Sequence, residues 1–537
     1  MTLSRLLRLA VLVLLLVGCT PEAPSPTPTP TLLPTDTPSP TPAPSVWVAP
    51  YLPDGFIESL ILPEGWLTAP DAASASLRLE VGDGDVRSRW VYALAAPFPT
   101  LTDSVTLQQV RDAWQGLPDP VFASQLLMDQ DTLDLFSAWW GQPGAAAVRV
   151  LPAGELVNAA WQAMSAWAIL PFEQLEPRWK VLAVDGTSPL QADFDLEGYG
   201  LSVPIRLEGS GELSLPESNR DPQKLTTVVT TGTTAMVRGT AVLMEMNGIR
   251  YPAEQIAPLL QSADILHISN EIPFFAGCPA PVLGTDSLIF CSPSEYIELL
   301  EFIGTDVVEL TGDHFANYGP EAMRLTIQMY RDRGWQVYGG GETLQDGLEP
   351  ALFTHNGNWI AFLGCNAKGG GYATASATSP GAAACANGGY ESIHEQIRQL
   401  KQQGTVVFAS FQHQEYYQYT VLPQYRTDFT AMVDAGADVV LGSQGHQPQN
   451  MEFYAGGFIH YGTGNLFFDQ VITPGGDQRP LDRAFIDRHI VYAGRYISTE
   501  LITIKFIDFA QSRLMTPDER SEFLETLFRA GGWQPLR

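Results

Sequence analysis

Histidines, carboxylates and glycines gather in four short segments of the chain. These are Leu310-Thr-Gly-Asp-His-Phe-Ala-Asn-Tyr-Gly319, Ser410-Phe-Gln-His-Gln-Glu-Tyr416, Gly442-Ser-Gln-Gly-His-Gln-Pro-Gln449 and His460-Tyr-Gly-Thr-Gly-Asn-Leu-Phe-Phe-Asp469. The first three each follow an apolar, β-branched run: Asp306-Val-Val-Glu-Leu310, Thr405-Val-Val-Phe-Ala409 and Ala437-Asp-Val-Val-Leu441. A buried strand that ends in His, Asp and Gly delivers polar groups to one edge of a sheet. Three such ends, each with one His, predict a metal or phosphate site assembled from distant segments.

The elements that must position these residues alternate between strand and helix. Strands are expected at Leu225–Thr231, Asp264–Ile268, Val307–Leu310, Gln336–Tyr338, Trp359–Leu363, Val406–Ser410, Val439–Leu441 and Phe458–Tyr461, with helices such as Pro320–Asp332 and Tyr425–Asp434 between them. That alternation predicts an α/β layered fold over residues 225–515. The tail 516–537 opens on Thr516-Pro-Asp-Glu519, a capping box with Pro at the first helical position, so a terminal helix to about Arg529 is expected. A polar stretch, Leu215–Lys224, separates this unit from 46–215, a smaller α/β unit with strands at Arg89–Leu94 and Trp179–Val184 and helices at Leu107–Trp114 and Gly154–Trp167. This first unit is similar to part of a type II periplasmic solute-binding protein. Trp139-Trp140 reads as core rather than a ligand platform.

At its chemical motifs the second unit resembles the CapA family, the bacterial capsule or poly-γ-glutamate synthesis proteins with a calcineurin-like metallophosphatase fold. The resemblance covers nearly all of 225–470. His314 and Gly319 match the family's Asn-Asn-His motif, and Ser410, His413, Glu415 and Tyr416 match its Ser-x-His-x-Gly-x-Glu-Tyr motif. His446 and Gln449 fall on the Gly-x-His-Pro-His motif and its following Gln; Tyr461, Gly464, Asn465, Phe468 and Asp469 fall on the last one. Glu271 stands at the carboxylate of Asn-Leu-Glu, and Arg238 at the Arg after the first strand.

The resemblance implies a divalent metal (Mn, Fe or Zn) held by His413 and His446, with Glu271 and Asp313 either as carboxylate ligands or as acceptors behind the ligands. It implies His314 as general acid or charge stabiliser, Arg238 as clamp on an anionic substrate, and Glu415 and Asn465 as substrate-facing residues. The departures weigh as much. Thr233 sits where a metal-binding Asp is expected, Gln444 replaces a His, Asp313 replaces an Asn and Asn317 a later Asp. A neutral hydroxyl or amide balances the charge of a divalent ion poorly. Two functions follow: a metal-dependent phosphoesterase-like hydrolase of envelope-polymer metabolism with a degraded or single-metal site, or a non-catalytic binder of an anionic polymer or small solute.

The remaining histidines match no motif. His267, His355, His394 and His489 are expected at the surface or at caps, and His460 is a weak site candidate. Gly339–Gly341 and Gly369–Gly371 read as turns, since neither opens a clear helix.

Net charge is −29 over 537 residues, which argues against nucleic acid or an anionic membrane surface as a partner. Residues 1–19 read as a targeting signal whose Leu16-Val-Gly-Cys19 resembles a lipoprotein lipobox. That predicts acylation of Cys19 (palmitate among the chains) and attachment to the extracytoplasmic face of the cell membrane. The Pro/Thr-rich linker 20–45 favours extended polyproline II. The other cysteines, Cys278, Cys291, Cys365 and Cys385, are even in number, as an oxidising compartment would have them. Proximity favours Cys278–Cys291 and Cys365–Cys385 among the possible connectivities.

Overall fold

The computed structural model describes residues 43–283, 288–443, 445–470 and 481–536. The expected signal segment with Cys19, nearly all of the linker, and Gln444 lie outside them. Residues Pro44–Arg537 form one compact unit of mixed α/β structure.

Residues 45–209 supply a ten-stranded sheet whose hub is the strand Val86–Pro97. That strand pairs antiparallel with Ala168–Pro171, Trp179–Val184 and Ser202–Gly209. From Trp90 onward both of its faces are buried, which is why its sequence runs apolar rather than alternating. Trp139 and Trp140, partly buried, pack edge-on to the core residue Phe136 beside it. The helix expected over Gly154–Trp167 is shorter, Leu156–Ala163, because Met164 turns left-handed at φ 56°.

Residues 225–514 supply two further main sheets. In the nine-stranded one, Leu225–Thr231, Ile265–Asn270, Val307–Glu309 and Gln336–Tyr338 run parallel. The antiparallel pair Arg483–Tyr492 and Arg495–Phe506 extends it on the other side. In the six-stranded one, Asn358–Asn366, Val406–Gln412, Val439–Gly442 and Gly457–His460 run parallel. The sheets pack on each other through Val228, Ile265, Val307, Phe362, Phe408 and Phe458. Helices cover the outer faces: Gly319–Arg331 through Met323, Ile327 and Tyr330, and Gly389–Gln402 through Ile393 and Ile397. The nine-stranded sheet also packs on the first, since Leu225, Ile490, Tyr492 and Ile497 join the cluster built by residues 46–215. The terminal helix is Pro517–Ala530, with Thr516 and Glu519 capping each other's backbone N–H as a reciprocal box.

Both disulfides favoured by proximity are formed, Cys278–Cys291 and Cys365–Cys385. The expectation of surface positions fails for His267 and His489, which are 1% and 0% exposed. Each finds a polar partner between the sheets: His267 Nε2 meets the Tyr338 hydroxyl at 2.8 Å, and His489 Nδ1 meets Thr499 Oγ1 at 2.7 Å. His460 is also wholly buried, against Asp487.

Candidate functional site

Parallel strands in register end together, and the loops beyond their carboxyl ends share one rim. The strand Ile265–Asn270 runs directly into Glu271, and Val307–Glu309 is followed by a single 3₁₀ turn, Asp313–Ala316, bearing Asp313 and His314. Beyond Asn358–Asn366 come Lys368 and Tyr372, beyond Val406–Gln412 comes Glu415, and beyond Val439–Gly442 comes His446. Gly312 allows the first two segments to meet, because a Cβ there would lie 3.0 Å from the Cα and carbonyl oxygen of Glu271. Together these residues and Arg238 line a cleft of about 780 Å³.

Among the described residues three side chains hold Asp313. Its Oδ1 accepts from Gln412 Nε2 at 2.7 Å, its Oδ2 accepts from the Tyr372 hydroxyl at 2.9 Å, and Lys368 Nζ lies 3.0 Å from Oδ2. Burial alone would raise its pKa, yet the charges of Lys368 and His314 hold it below the ordinary value. Lys368 also reaches Glu415 Oε1 at 3.4 Å. Burial works against the lysine's charge, but Asp313 and Glu415 outweigh it and raise its pKa. On the far side of Glu415, the same Oε1 lies 3.7 Å from His446 Nε2. Burial disfavours both ionised forms; the pairing overrides it, raising His446 and holding Glu415 well below the usual carboxylate range.

His314 is set by Asn317, whose Oδ1 accepts from Nδ1–H at 2.9 Å and from the Phe290 N–H at 2.8 Å. This fixes the tautomer and leaves Nε2 facing the cleft, 3.9 Å from Glu271 Oε1. Arg238 opens the helix Arg238–Asn247 from a left-handed backbone, φ 51°. Its guanidinium lies 4.8 Å from the Phe290 ring centroid and 5.7 Å from that of Phe468, and Nε has no hydrogen-bond partner. Asp469 ties down the next residue, accepting the Gly239 N–H at 2.7 Å; burial pushes its carboxyl up to about 7 against that bond and the Arg238 charge.

Of the residues singled out from sequence, the fold brings Arg238, Glu271, Asp313, His314, Glu415 and His446 to this cleft. It does not bring His413 there. That ring stacks on Tyr425 with centroids 4.5 Å apart, in a separate narrow crevice with Phe411 and Phe429, and its charged partner is Asp428 at 3.5 Å. Burial lowers its pKa to about 4. The expected ligand role therefore fails on geometry: the strand's pleat sends His413 to the helix side and Gln412 to the cleft side. Asn465 stands behind His446, its Oδ1 2.7 Å from Nδ1, and does not line the cleft. Thr233, wholly buried, donates its hydroxyl to the Ser443 carbonyl at 2.6 Å.

Sequence reading missed Lys368, Tyr372 and Gln412. Gln412 carried a signal, one residue before a motif His in a strand of period 2. Lys368 and Tyr372 flank the Gly369–Gly371 turn, where only the tertiary path of the disulfide-tied loop 365–385 shows their direction.

Glu271, Asp313 and His314 each offer one ligand atom, and the three atoms lie within 4.8 Å of one another. This set suits one divalent ion with an oxygen-rich shell. Paired-metal sites hold two ions about 3.5–4 Å apart; a second ion does not fit the described residues, because the Thr233 hydroxyl is spent on a carbonyl and an ammonium already lies between Asp313 and Glu415.

Residues 227–470 match the family described as "Bacterial capsule synthesis protein PGA_cap". The chain is 26% identical over 284 residues to "Capsule biosynthesis protein CapA" of Bacillus anthracis, covering 52% of this chain and 67% of that protein. It is 27% identical over 198 residues to "PGA biosynthesis protein CapA" of Bacillus subtilis (strain 168), covering 36% of this chain and 50% of that one. A crystal structure of an ABC-type phosphate transport receptor from Vibrio cholerae aligns over 26% of this chain and 73% of its own, at 9% identity and a TM-score of 0.22. So low a score supports no shared fold. Among the described residues no helix is long and apolar enough to cross a membrane.

Proposed function

We propose that this chain is a CapA-type protein that acts in the synthesis of an anionic surface polymer, capsule or poly-γ-glutamate. In this reading it works at the extracytoplasmic face of the membrane, held by lipid on Cys19 and lifted by the linker. Residues 225–515 are then a layered sandwich of the calcineurin-like metallophosphatase kind, and the cleft binds carboxylate groups of the polymer. Arg238 carries the reading. Its guanidinium is held over two aromatic rings on the cleft wall and, although its charge reaches Asp469, makes no ion pair within 4.0 Å among the described residues. A planar fork of N–H donors fixed in a partly dry cleft suits a carboxylate or phosphate. Lys368 and His446, which line the same cleft, add positive charge.

The experiment is binding of fluorescently labelled poly-γ-glutamate to the purified full chain and to Arg238→Met. Saturable binding that weakens at least ~10-fold in the variant, about 1.4 kcal/mol, is expected for a lost charge-assisted bond. No binding by the unaltered chain, or equal binding by both, defeats the proposal.

The convergence of Glu271, Asp313 and His314 favours a second reading, metal-assisted hydrolysis of a phosphoester. A divalent ion there would supply Lewis-acid polarisation of a phosphoryl oxygen. The chain's own contribution is positional: Arg238 would orient the anionic group, and the His446 imidazolium, charged by Glu415, would hold a proton at Nε2 for a departing oxygen. Mn²⁺-dependent turnover of bis-p-nitrophenyl phosphate, abolished in Glu271→Gln, supports it. No turnover in the unaltered protein removes it and leaves the binding reading in place.

A further inference from the structure

We infer that Lys368 is a built-in cation, taking the place of one of the two metal ions that a cleft of the proposed metallophosphatase kind would hold. The cleft then admits one divalent ion at most. The ammonium lies 3.0 Å from Asp313 Oδ2 and 3.4 Å from Glu415 Oε1, the position of a charge shared between two carboxylates. Glu415 Oε1 is itself 3.7 Å from His446 Nε2, so the ammonium and the imidazole share the one carboxylate oxygen that would face a second ion.

The lysine is held in place rather than left to drift. The N–H groups of Ala367 and Lys368 both donate to the Gln412 carbonyl, at 2.8 and 2.9 Å. Asn366 Oδ1 accepts the Gly369 N–H at 2.8 Å, and the disulfide Cys365–Cys385 closes the loop. Only 17% of the Lys368 side chain is exposed. An ion entering on the Asp313–Glu415 side would have to expel this ammonium, at the cost of its pairings with Asp313 and Glu415, or bind against its charge. The substitutions elsewhere agree with that exchange. Thr233, where a ligating carboxylate is expected, turns its hydroxyl away to Ser443, so both the ligand and the need for a second ion are gone together. Unlike a metal, an ammonium requires no loading and exchanges no ligands. Its side of the cleft is therefore ready for an anion at any metal concentration.

This inference rests on the reading of 225–515 given above, but its test counts ions rather than polymer. Mn²⁺ uptake by the purified full chain would be measured by electron paramagnetic resonance of the unbound ion, for the unaltered protein, Lys368→Met, Lys368→Gln and Lys368→Arg. The unaltered chain and Lys368→Arg should take up the same number, no more than one per chain. Lys368→Met and Lys368→Gln, checked for native circular dichroism, should each take up one more. Two ions in the unaltered chain overturn the assignment, and so does an unchanged count in whichever neutral variant folds. Poly-γ-glutamate binding in EDTA is read separately: if it persists while the ion counts fail, only the role of Lys368 is lost.

Discussion

Asn465 Oδ1 lies 2.7 Å from Nδ1 of His446, and the two side chains are 0% and 2% exposed. The amide oxygen can only accept, so Nδ1 carries the hydrogen and Nε2 is turned toward Glu415. Two segments meet in that bond: the loop beyond the strand Val439–Gly442, and the strand Asn465–Phe467 that pairs with Thr233–Thr234. Asn465→Ala should leave a buried imidazole N–H without a partner, at a cost of about 1–3 kcal/mol. A drop of that size in urea-unfolding stability, together with weaker polymer binding, is expected. Asn465→Asp, which keeps the acceptor, should restore most of the binding. Equal behaviour of the two variants would show that the bond does not position His446.

His413 offers a test of the correction made to its role. Burial lowers its pKa to about 4, against an ordinary value of 6.5. Between those values the unfolded chain takes up a proton that the folded one refuses, so the stability linked to this group is complete above 6.5 and is lost as pH falls toward 4. The size is at most about 3 kcal/mol. His489, also lowered to about 4 by burial, adds in the same direction. His413→Phe preserves the stack on Tyr425 and should flatten the acid limb of stability measured by urea unfolding across that range. Mn²⁺ uptake and polymer binding should be unchanged, whereas a metal ligand would lose them.

How much could be read beforehand follows from what each element depends on. Gln336–Tyr338 and Trp179–Val184 form at the bounds expected, since short apolar runs between turn residues leave little freedom. The antiparallel pair Arg483–Tyr492 and Arg495–Phe506 was not legible, because its interior carries buried Asp487, His489 and Thr499, which break the apolar pattern. Those groups are tolerated only because partners from other strands, such as Thr230 and His460, reach them. The same distinction runs through the site. Strand-end motifs placed Glu271, Asp313, His314, Glu415 and His446 on one rim, as periodicity and parallel register allow. Lys368 depends on a loop whose course is set by Gln412, Asn366 and a disulfide, contacts that no local pattern encodes.

The disulfide Cys365–Cys385 should matter to the cleft beyond its effect on stability. It spans a sequence separation of 20 and encloses both Lys368 and Tyr372. Constraint of a loop that long in the unfolded chain is worth about 3 kcal/mol in the entropic account. Replacing both cysteines with Ala should lower stability by that order and loosen the two donors to Asp313. Polymer binding at a temperature where the variant stays folded should therefore weaken. The matching replacement of Cys278 and Cys291 should lower stability without touching the Lys368 pairing. Identical binding in the two double variants would refute a local role for the 365–385 bridge.

Arg238 combines a functional side chain with an unfavourable backbone, and two substitutions can separate them. At φ 51° a residue with a Cβ pays about 1 kcal/mol that glycine does not. Arg238→Ala removes the guanidinium and keeps the strain; Arg238→Gly removes both. Each loses the contacts with Phe290 and Phe468, so that loss cancels between them. Arg238→Gly should therefore be more stable than Arg238→Ala by about 1 kcal/mol in urea unfolding, while the two bind poly-γ-glutamate equally weakly. The strain would then be a cost carried for the sake of holding the guanidinium over Phe290 and Phe468 in the cleft lining. If Ala were as stable as Gly, the left-handed turn would be unstrained. If either bound like the unaltered chain, the anion would be held by Lys368 and His446 alone.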